Sequence, residues 1–162
     1  MKLDDRLYQE VDDSCALCGL RGIDVLGIHH IDGISKNNVY ENTIVLCHNC
    51  HRRFHDNKGV TESHVRDRKR HLIHKTLTIY GLNALKIADR NGTGVVAMPF
   101  LLHHLVDLGY MEQNEPVMGY DPVGVVDFSG SPSEGMFDVA QEDALARFSI
   151  TDRGRGMLAA WF

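Results

Sequence analysis

The spacing of hydrophobic positions in the first sixty residues predicts a helix, two strands and a second helix. In the first segment, Leu3, Leu7 and Val11 recur at one-turn intervals, as they would on one face of a helix. The next two apolar runs flank a polar loop that contains glycine, which is typical of two strands. The predicted elements are a helix at 3–12, strands at 25–31 and 39–46, and a helix at 49–57. The last three form a ββα unit.

The hydrophobic pattern of the remaining chain predicts a mostly helical second part. Three of the four prolines lie within residues 114–135, where a long loop is expected. A strand at 144–150 and a last short helix, capped by Thr151 and Asp152, complete the pattern. The helices predicted before that loop lie at 62–72, from residue 77 to the turn at 91–94, and at 100–108.

Charge is distributed unevenly, and this changes what the overall composition suggests. The 162-residue chain carries 17 Lys and Arg against 22 Asp and Glu, and a net charge of −5 argues against non-specific binding of nucleic acid. Residues 48–75, however, contain eight basic and three acidic side chains. Residues 110–146 contain eight acidic side chains and no Lys or Arg. A polyanion is therefore expected to dock on the basic segment.

The predicted nucleic-acid contacts come from this basic segment, and for Arg52 and Arg53 the alternative is a solvated helix face. The basic side chains of this segment follow the second cysteine pair, Cys47 and Cys50, directly in the chain. The predicted contacts are Arg52, Arg53, Lys58, Arg66, Arg68, Lys69 and Arg70.

The sequence has no run of about 18 apolar residues and no basic start followed by an apolar stretch. We therefore expect a cytoplasmic protein with no membrane partner. We also expect no small-molecule substrate.

The four cysteines form two C-x-x-C pairs, Cys15 with Cys18 and Cys47 with Cys50, separated by 28 residues. Without an export signal, such pairs indicate a metal site before they indicate disulfides, and the matched spacing fits a closed, tetrahedral zinc site. Because the ββα unit is small, zinc is expected to supply much of its folding free energy. Reduced structural cysteines or two disulfides are the alternatives.

The histidines form a separate candidate site. His51 and His55 lie four residues apart on the predicted helix, so their side chains share one face. His29 and His30 are adjacent on a strand, so they point to opposite sides or splay at its end. One can then complete a metal site while the other acts beside it. Three imidazoles with open coordination positions suit a catalytic divalent metal.

Together, His29-His30, Asn42 and His51-x-x-x-His55 resemble the HNH nuclease motif, in the variant that carries two zinc knuckles. The resemblance implies that His30 is the general base that takes a proton from the attacking water. It implies that Asn42 ties the loop between the strands and so holds the base in place. It also implies that His29, His51 and His55 are ligands of a catalytic divalent ion, which is Mg²⁺, Mn²⁺ or another divalent metal.

The resemblance covers residues 13–57 and implies a metal-dependent endonuclease that hydrolyses DNA by a one-metal mechanism. The resemblance also implies a protein of bacterial, phage or mobile-element type. The competing hypothesis is a non-catalytic DNA-binding regulator, and an RNA substrate is a third alternative.

The second half of the chain resembles winged-helix domains. Residues 101–110 end in Leu-Gly-Tyr, and residues 147–155 contain Thr-Asp-x-Gly-Arg. The resemblance implies a helix that leads into a two-stranded wing, here lengthened by an acidic insertion at 111–143. Because an acidic wing would repel phosphate, a homodimer or another protein partner is an alternative to DNA contact, as is a small α-rich packing domain.

The expected fold class is therefore α+β. It comprises a zinc-stapled ββα-metal (HNH) module at 1–58, a basic linker helix at 59–74 and a mostly helical, winged-helix-like domain at 75–162.

Overall fold

A computed structural model describes residues 2–117 and 145–162, and the chain divides into two compact units. Unit 1 comprises Met1–Leu82 with Ala160–Phe162, and unit 2 comprises Asn83–Ala159. This division falls later in the chain than the predicted boundaries after residues 58 and 74, because the basic segment packs within unit 1. Most of the predicted acidic insertion lies outside the described residues.

The described elements confirm the predicted α+β class. No helix among them is long and apolar enough to cross a membrane. In chain order they are α1 (Leu3–Glu10), β1 (Leu26–His30), β2 (Thr43–Cys47), α2 (His48–His55), α3 (Glu62–Asn91), β3 (Val95–Ala97), α4 (Pro99–Asp107), β4 (Met111–Pro116), β5 (Ala146–Ile150) and α5 (Asp152–Trp161).

An antiparallel pair of strands, β1 and β2, lies at the centre of unit 1. Its register pairs Leu26 with Cys47 and His29 with Ile44. All five residues of β2 are buried, and both α1 and α2 pack against this strand. The strand begins later than predicted because Tyr40–Asn42 form a short 3₁₀ turn before it.

The basic helix α3 is interrupted at one residue, which agrees with two predicted helices in this region. Thr78 has φ 60° and ψ 162°, values that are not helical. Its Oγ1 accepts a hydrogen bond from the Gly81 N–H at 3.2 Å, as an N-cap residue does at the start of a helix.

The prediction that Lys69 contacts nucleic acid is wrong, because this side chain is fully buried. Its Nζ lies 2.8 Å from Oε1 of buried Glu10 and 3.7 Å from the centre of the Tyr40 ring. The Tyr40 hydroxyl donates to the other Glu10 oxygen at 2.6 Å. Burial lowers the pKa of Lys69, and the Glu10 carboxylate opposes that shift. Lys69 therefore joins α3 to α1 instead of facing solvent.

Unit 2 contains a three-stranded antiparallel sheet in the order β3-β5-β4. The β4–β5 pair lies where the winged-helix resemblance implies the two strands of a wing, whereas β3 was not predicted. The predicted cap of the last helix is confirmed, since Thr151 Oγ1 accepts from the Gly154 N–H at 3.0 Å. Gly154 is also required by close packing, because a Cβ there would lie 2.3 Å from the Tyr110 carbonyl oxygen.

We predict that Lys69→Met lowers the free energy of unfolding by about 3–5 kcal/mol, because it leaves the Glu10 carboxylate buried without its cation. Urea unfolding followed by circular dichroism measures this change. The double variant Glu10→Gln/Lys69→Met should recover much of the loss, since no buried charge is then uncompensated.

The matched control is Lys58→Met, which removes an exposed pair with Asp56 at 3.2 Å. Surface pairs contribute about 0–1 kcal/mol, so this variant should unfold close to the unsubstituted chain. Equal losses in the Lys58 and Lys69 variants would contradict a special role for the buried pair.

Candidate metal centres

The four cysteines converge as the sequence predicts, and we call them the cysteine cluster. All four are free thiols whose sulfurs lie within 4.8 Å of one another. The Sγ atoms of Cys18 and Cys47 are 3.7 Å apart. A tetrahedral zinc ion with Zn–S bonds of about 2.3 Å holds its sulfurs about 3.8 Å apart, so the cluster can hold a structural metal such as zinc.

Each half of the cysteine cluster is built on a tight turn. After α1, the chain reverses at Cys15, whose N–H donates to the Leu20 carbonyl at 2.8 Å and whose carbonyl accepts from Gly19 N–H at 2.9 Å. The second half begins at Cys47, the last residue of β2 and the N-cap of α2. Its Sγ accepts from the Cys50 N–H at 3.4 Å, so two sulfurs are directed to one side of the helix start.

The thiol pKa values differ within the cluster. Burial raises the pKa of Cys15, but hydrogen bonds from the backbone of Cys18, Cys47 and Leu17 outweigh it and bring the pKa to about 7. Burial raises the pKa of Cys50. Cys15 is therefore close to the thiolate form in which sulfur binds a metal, and a bound cation would favour that form at all four positions.

Three of the predicted histidines also converge, and we call His29, His51 and His55 the histidine cluster. Their ring nitrogens lie within 4.8 Å of one another, and the two Nε2 atoms on α2 are 3.2 Å apart. Imidazole nitrogens at about 2.1 Å from one ion stand about 3 Å apart, so this spacing suits shared coordination. Phe54 packs edge-on against His29, with ring centres 4.7 Å apart.

The burial and the neutral protonation state of His29 are those expected of a metal ligand. The residue is only 3% exposed, and its Nε2 has no hydrogen-bond partner among the described residues. Burial, followed by the neighbouring charges of His51 and His55, lowers the pKa of His29 to about 4. The ring is therefore neutral at pH 7, and a buried nitrogen without a partner is costly unless it binds something.

His30, the next residue on β1, has a different environment. It is half-buried, and its Nε2 lies 2.7 Å from Oδ1 of Asn38. Asn38 was not predicted as a site residue, because it lies in a polar loop directly after another asparagine and no spacing distinguishes it. Its contact fixes one nitrogen of the His30 ring.

Asn42 ties the loop that follows His30. Its Nδ2 donates to Oδ1 of Asp32 at 2.8 Å and to the Asn37 carbonyl at 3.0 Å, and its Oδ1 accepts from the Asp32 N–H at 3.1 Å. Hydrogen bonds, first from Asn37 and then from the Ile34 N–H, lower the pKa of the Asp32 carboxyl. The loop-tying contacts that the HNH resemblance implies for Asn42 are therefore present.

The predicted nucleic-acid contacts other than Lys69 are exposed, but several have protein partners. Arg52 and Lys58 both approach Asp56, at 3.7 and 3.2 Å. Arg53 Nε donates to the Lys58 carbonyl at 3.0 Å, and Arg68 Nε donates to the Ala16 carbonyl at 2.6 Å. Arg68 thus supports the first cysteine turn.

No protein-family model, curated protein or solved structure matches this chain. The class of site is therefore argued from its geometry. Unit 1 holds a cluster of four thiols suited to a structural metal and, on β1 and α2, an imidazole cluster suited to a divalent ion.

We predict that the purified chain contains one tightly bound zinc ion and that Cys47→Ser loses both the zinc and the folded state of unit 1. The reason is that Cys47 supplies a ligand at the junction of β2 and α2. Elemental analysis and thermal unfolding measure the two effects.

His55→Ala is the matched control, since it removes an exposed imidazole from the other cluster. It should keep the zinc and unfold near the temperature of the unsubstituted chain. Unchanged zinc content in Cys47→Ser would rule out the cysteine cluster as the zinc site.

Proposed function

We propose that this chain is a metal-dependent HNH-type endonuclease that hydrolyses phosphodiester bonds of DNA. One observation carries the proposal: adjacent residues of β1 have complementary environments. His29 is buried within an imidazole cluster, while half-buried His30 is held by an amide oxygen in the following loop. Hydrolysis of a phosphodiester needs these two functions, a cation site and a base, side by side.

His30 acts as the general base in this proposal. Asn38 Oδ1 accepts the Nε2 proton of His30, so the lone pair lies on Nδ1 and can take a proton from the attacking water. Asn42 holds the loop that carries this contact, through its hydrogen bonds to Asp32 and Asn37. Both asparagines are therefore positioning residues.

In this proposal the histidine cluster would hold the catalytic divalent ion, which is Mg²⁺, Mn²⁺ or another divalent metal. Such an ion supplies Lewis-acid stabilisation of the charge that builds on the phosphate and on the leaving 3′-oxygen. The neutral state of His29 supports this role, because its lone pair is available at pH 7. The hydrophobic edge of Phe54 against His29 keeps that ring in its buried position.

Cations beside the histidine cluster bind the DNA backbone. Arg52 and Arg53 lie between the two histidines on α2, and Lys58 follows the helix. Their protein partners are exposed or are backbone carbonyls, so a phosphate can compete for their N–H donors. One such site cuts one strand, so a double-strand break would require a homodimer or two successive nicks.

The second candidate function is a DNA-binding regulator without catalysis. The antiparallel β4–β5 pair, followed by a helix at Asp152–Trp161, favours it, because this is the arrangement that the winged-helix resemblance implies. In that case both units would recognise a site, and the cysteine cluster would only stabilise unit 1.

We predict that the chain nicks supercoiled plasmid in the presence of Mg²⁺ or Mn²⁺ and that His30→Ala lowers the rate about 10²–10⁴-fold, because the base is lost. Agarose gels over time measure the rate, and gel shifts measure DNA binding. His103→Ala, an exposed histidine of unit 2, is the control and should nick normally.

Equal nicking by the unsubstituted chain and His30→Ala would refute the assigned base. Absence of nicking with DNA binding intact would favour the regulator.

We predict that Asn38→Ala slows nicking up to about tenfold, the effect of losing one hydrogen bond to the base. Asn38→Asp retains an acceptor for Nε2 and should keep most of the activity. Ser35→Ala, in the same exposed loop, should have no effect. An equal loss in the Ala and Asp variants would contradict the role of Asn38 as an acceptor.

A further inference from the structure

One face of α3 carries cationic side chains that lie on aromatic rings. The guanidinium carbon of Arg66 is 5.1 Å from the centre of the Trp161 ring, and that of Arg70 is 5.6 Å from the centre of the Phe162 ring. The ring of His74 meets Phe162 edge-on, with centres 4.6 Å apart. These three helix residues recur every four positions and therefore share one face, which we call the ring-backed stripe.

The rings prepare the two guanidinium groups for binding. A guanidinium that lies over an aromatic face keeps its N–H donors at its edges, where they remain directed to solvent. The stacking also restricts a long side chain before a ligand arrives, so less conformational entropy is lost on binding. Trp161 and Phe162 are half-buried, whereas Arg66 and Arg70 remain exposed beside them.

One protein contact that competes for the stripe is weak. Arg66 lies 3.9 Å from Glu62, and the two side chains are 49% and 64% exposed. An exposed pair at that distance contributes little and is readily exchanged for another anion. The neighbouring cations on α3 differ from the stripe, since Lys69 is buried against Glu10 and Arg68 bonds the Ala16 carbonyl.

We infer that Arg66 and Arg70 bind successive phosphates of a nucleic-acid backbone and that Trp161 and Phe162 are the positioning residues for them. The two arginines are one helical turn apart, about 6 Å along the axis. Planar, two-pronged donors suit phosphate oxygens better than single carboxylates, which favours a polyphosphate backbone over an acidic peptide. The inference rests on the proposed function for the identity of its ligand, but it requires no cleavage.

The single tryptophan of the sequence makes this stripe directly observable. Because Trp161 is the only tryptophan, its emission reports on the stack with Arg66. The experiment uses the full chain with His30→Ala, so that DNA is bound but not cut. A short duplex is titrated in at several salt concentrations, with Trp161 emission and the anisotropy of labelled DNA as readouts.

We expect a saturable change in Trp161 emission on addition of duplex. Replacing both arginines, as Arg66→Gln/Arg70→Gln, should reduce the slope of log affinity against log salt by about two, one for each lost phosphate contact. Arg90→Gln, an exposed arginine of unit 2, is the charge control and should leave the slope unchanged.

The rings are tested with Phe162→Leu and Trp161→Leu, which should weaken DNA binding about three- to fivefold with little change in the salt slope, since the charges remain. Trp161→Phe keeps an aromatic face and should therefore restore the DNA binding that Trp161→Leu loses. A role of side-chain bulk alone would not require this difference. Thermal unfolding verifies that each variant is folded.

An unchanged salt slope in the double arginine variant would overturn the inference, even if the unsubstituted chain nicks plasmid. A Trp161 response to polyglutamate but not to DNA would also overturn it and would assign the stripe to an acidic protein. A lowered slope in a chain that never nicks DNA would support the stripe while refuting the nuclease.

Discussion

The pairing of β1 with β2 is the constraint on which both candidate metal centres depend. Its register places Cys47 opposite Leu26 at one end and His30 opposite Thr43 at the other. The first cysteine turn is joined to the same strand, since Ala16 N–H donates to the Val45 carbonyl at 2.9 Å. A slip of one residue would move every β1 side chain to the opposite face and exchange the environments of the two histidines.

The register is specified by burial and by the loop. Every residue of β2 is buried, and the fully buried Ile44 lies opposite His29, so a slipped strand would lose its packing. Beyond the strands, the Ile31 N–H donates to the Asn42 carbonyl at 2.8 Å, and the Asn42 side chain closes the loop. Asn42, to which the resemblance gives a supporting role in catalysis, therefore also helps to fix the strand register that places His29 and His30 on opposite faces of β1.

The features that the sequence predicts are those that local spacing encodes. Two C-x-x-C pairs and an i, i+4 histidine pair can be recognised because each lies on one turn or one helix. The predicted nucleic-acid contact of Lys69 was wrong because its partner Glu10 lies 59 residues earlier in the chain, and no local pattern shows that pairing. Strand β4 contains two glutamates and a proline but no β-branched residue, so only its pairing with β5 makes it a strand.

The helical phase of α3 decides what its positive charge can do. Val65, Lys69 and Ile73 lie on its buried face, whereas Arg66 and Arg70 lie one position further along the chain and reach the aromatic pair. A shift of one residue in sequence is a rotation of about 100° around the helix. This rotation separates Lys69, the buried counter-ion of Glu10, from the exposed Arg66 and Arg70. The excess positive charge of residues 48–75 is therefore larger than the charge available for binding, since Lys69 is buried and pairs with Glu10. Among the exposed cations of this segment, Arg66 and Arg70 are the two whose guanidinium groups lie over aromatic rings.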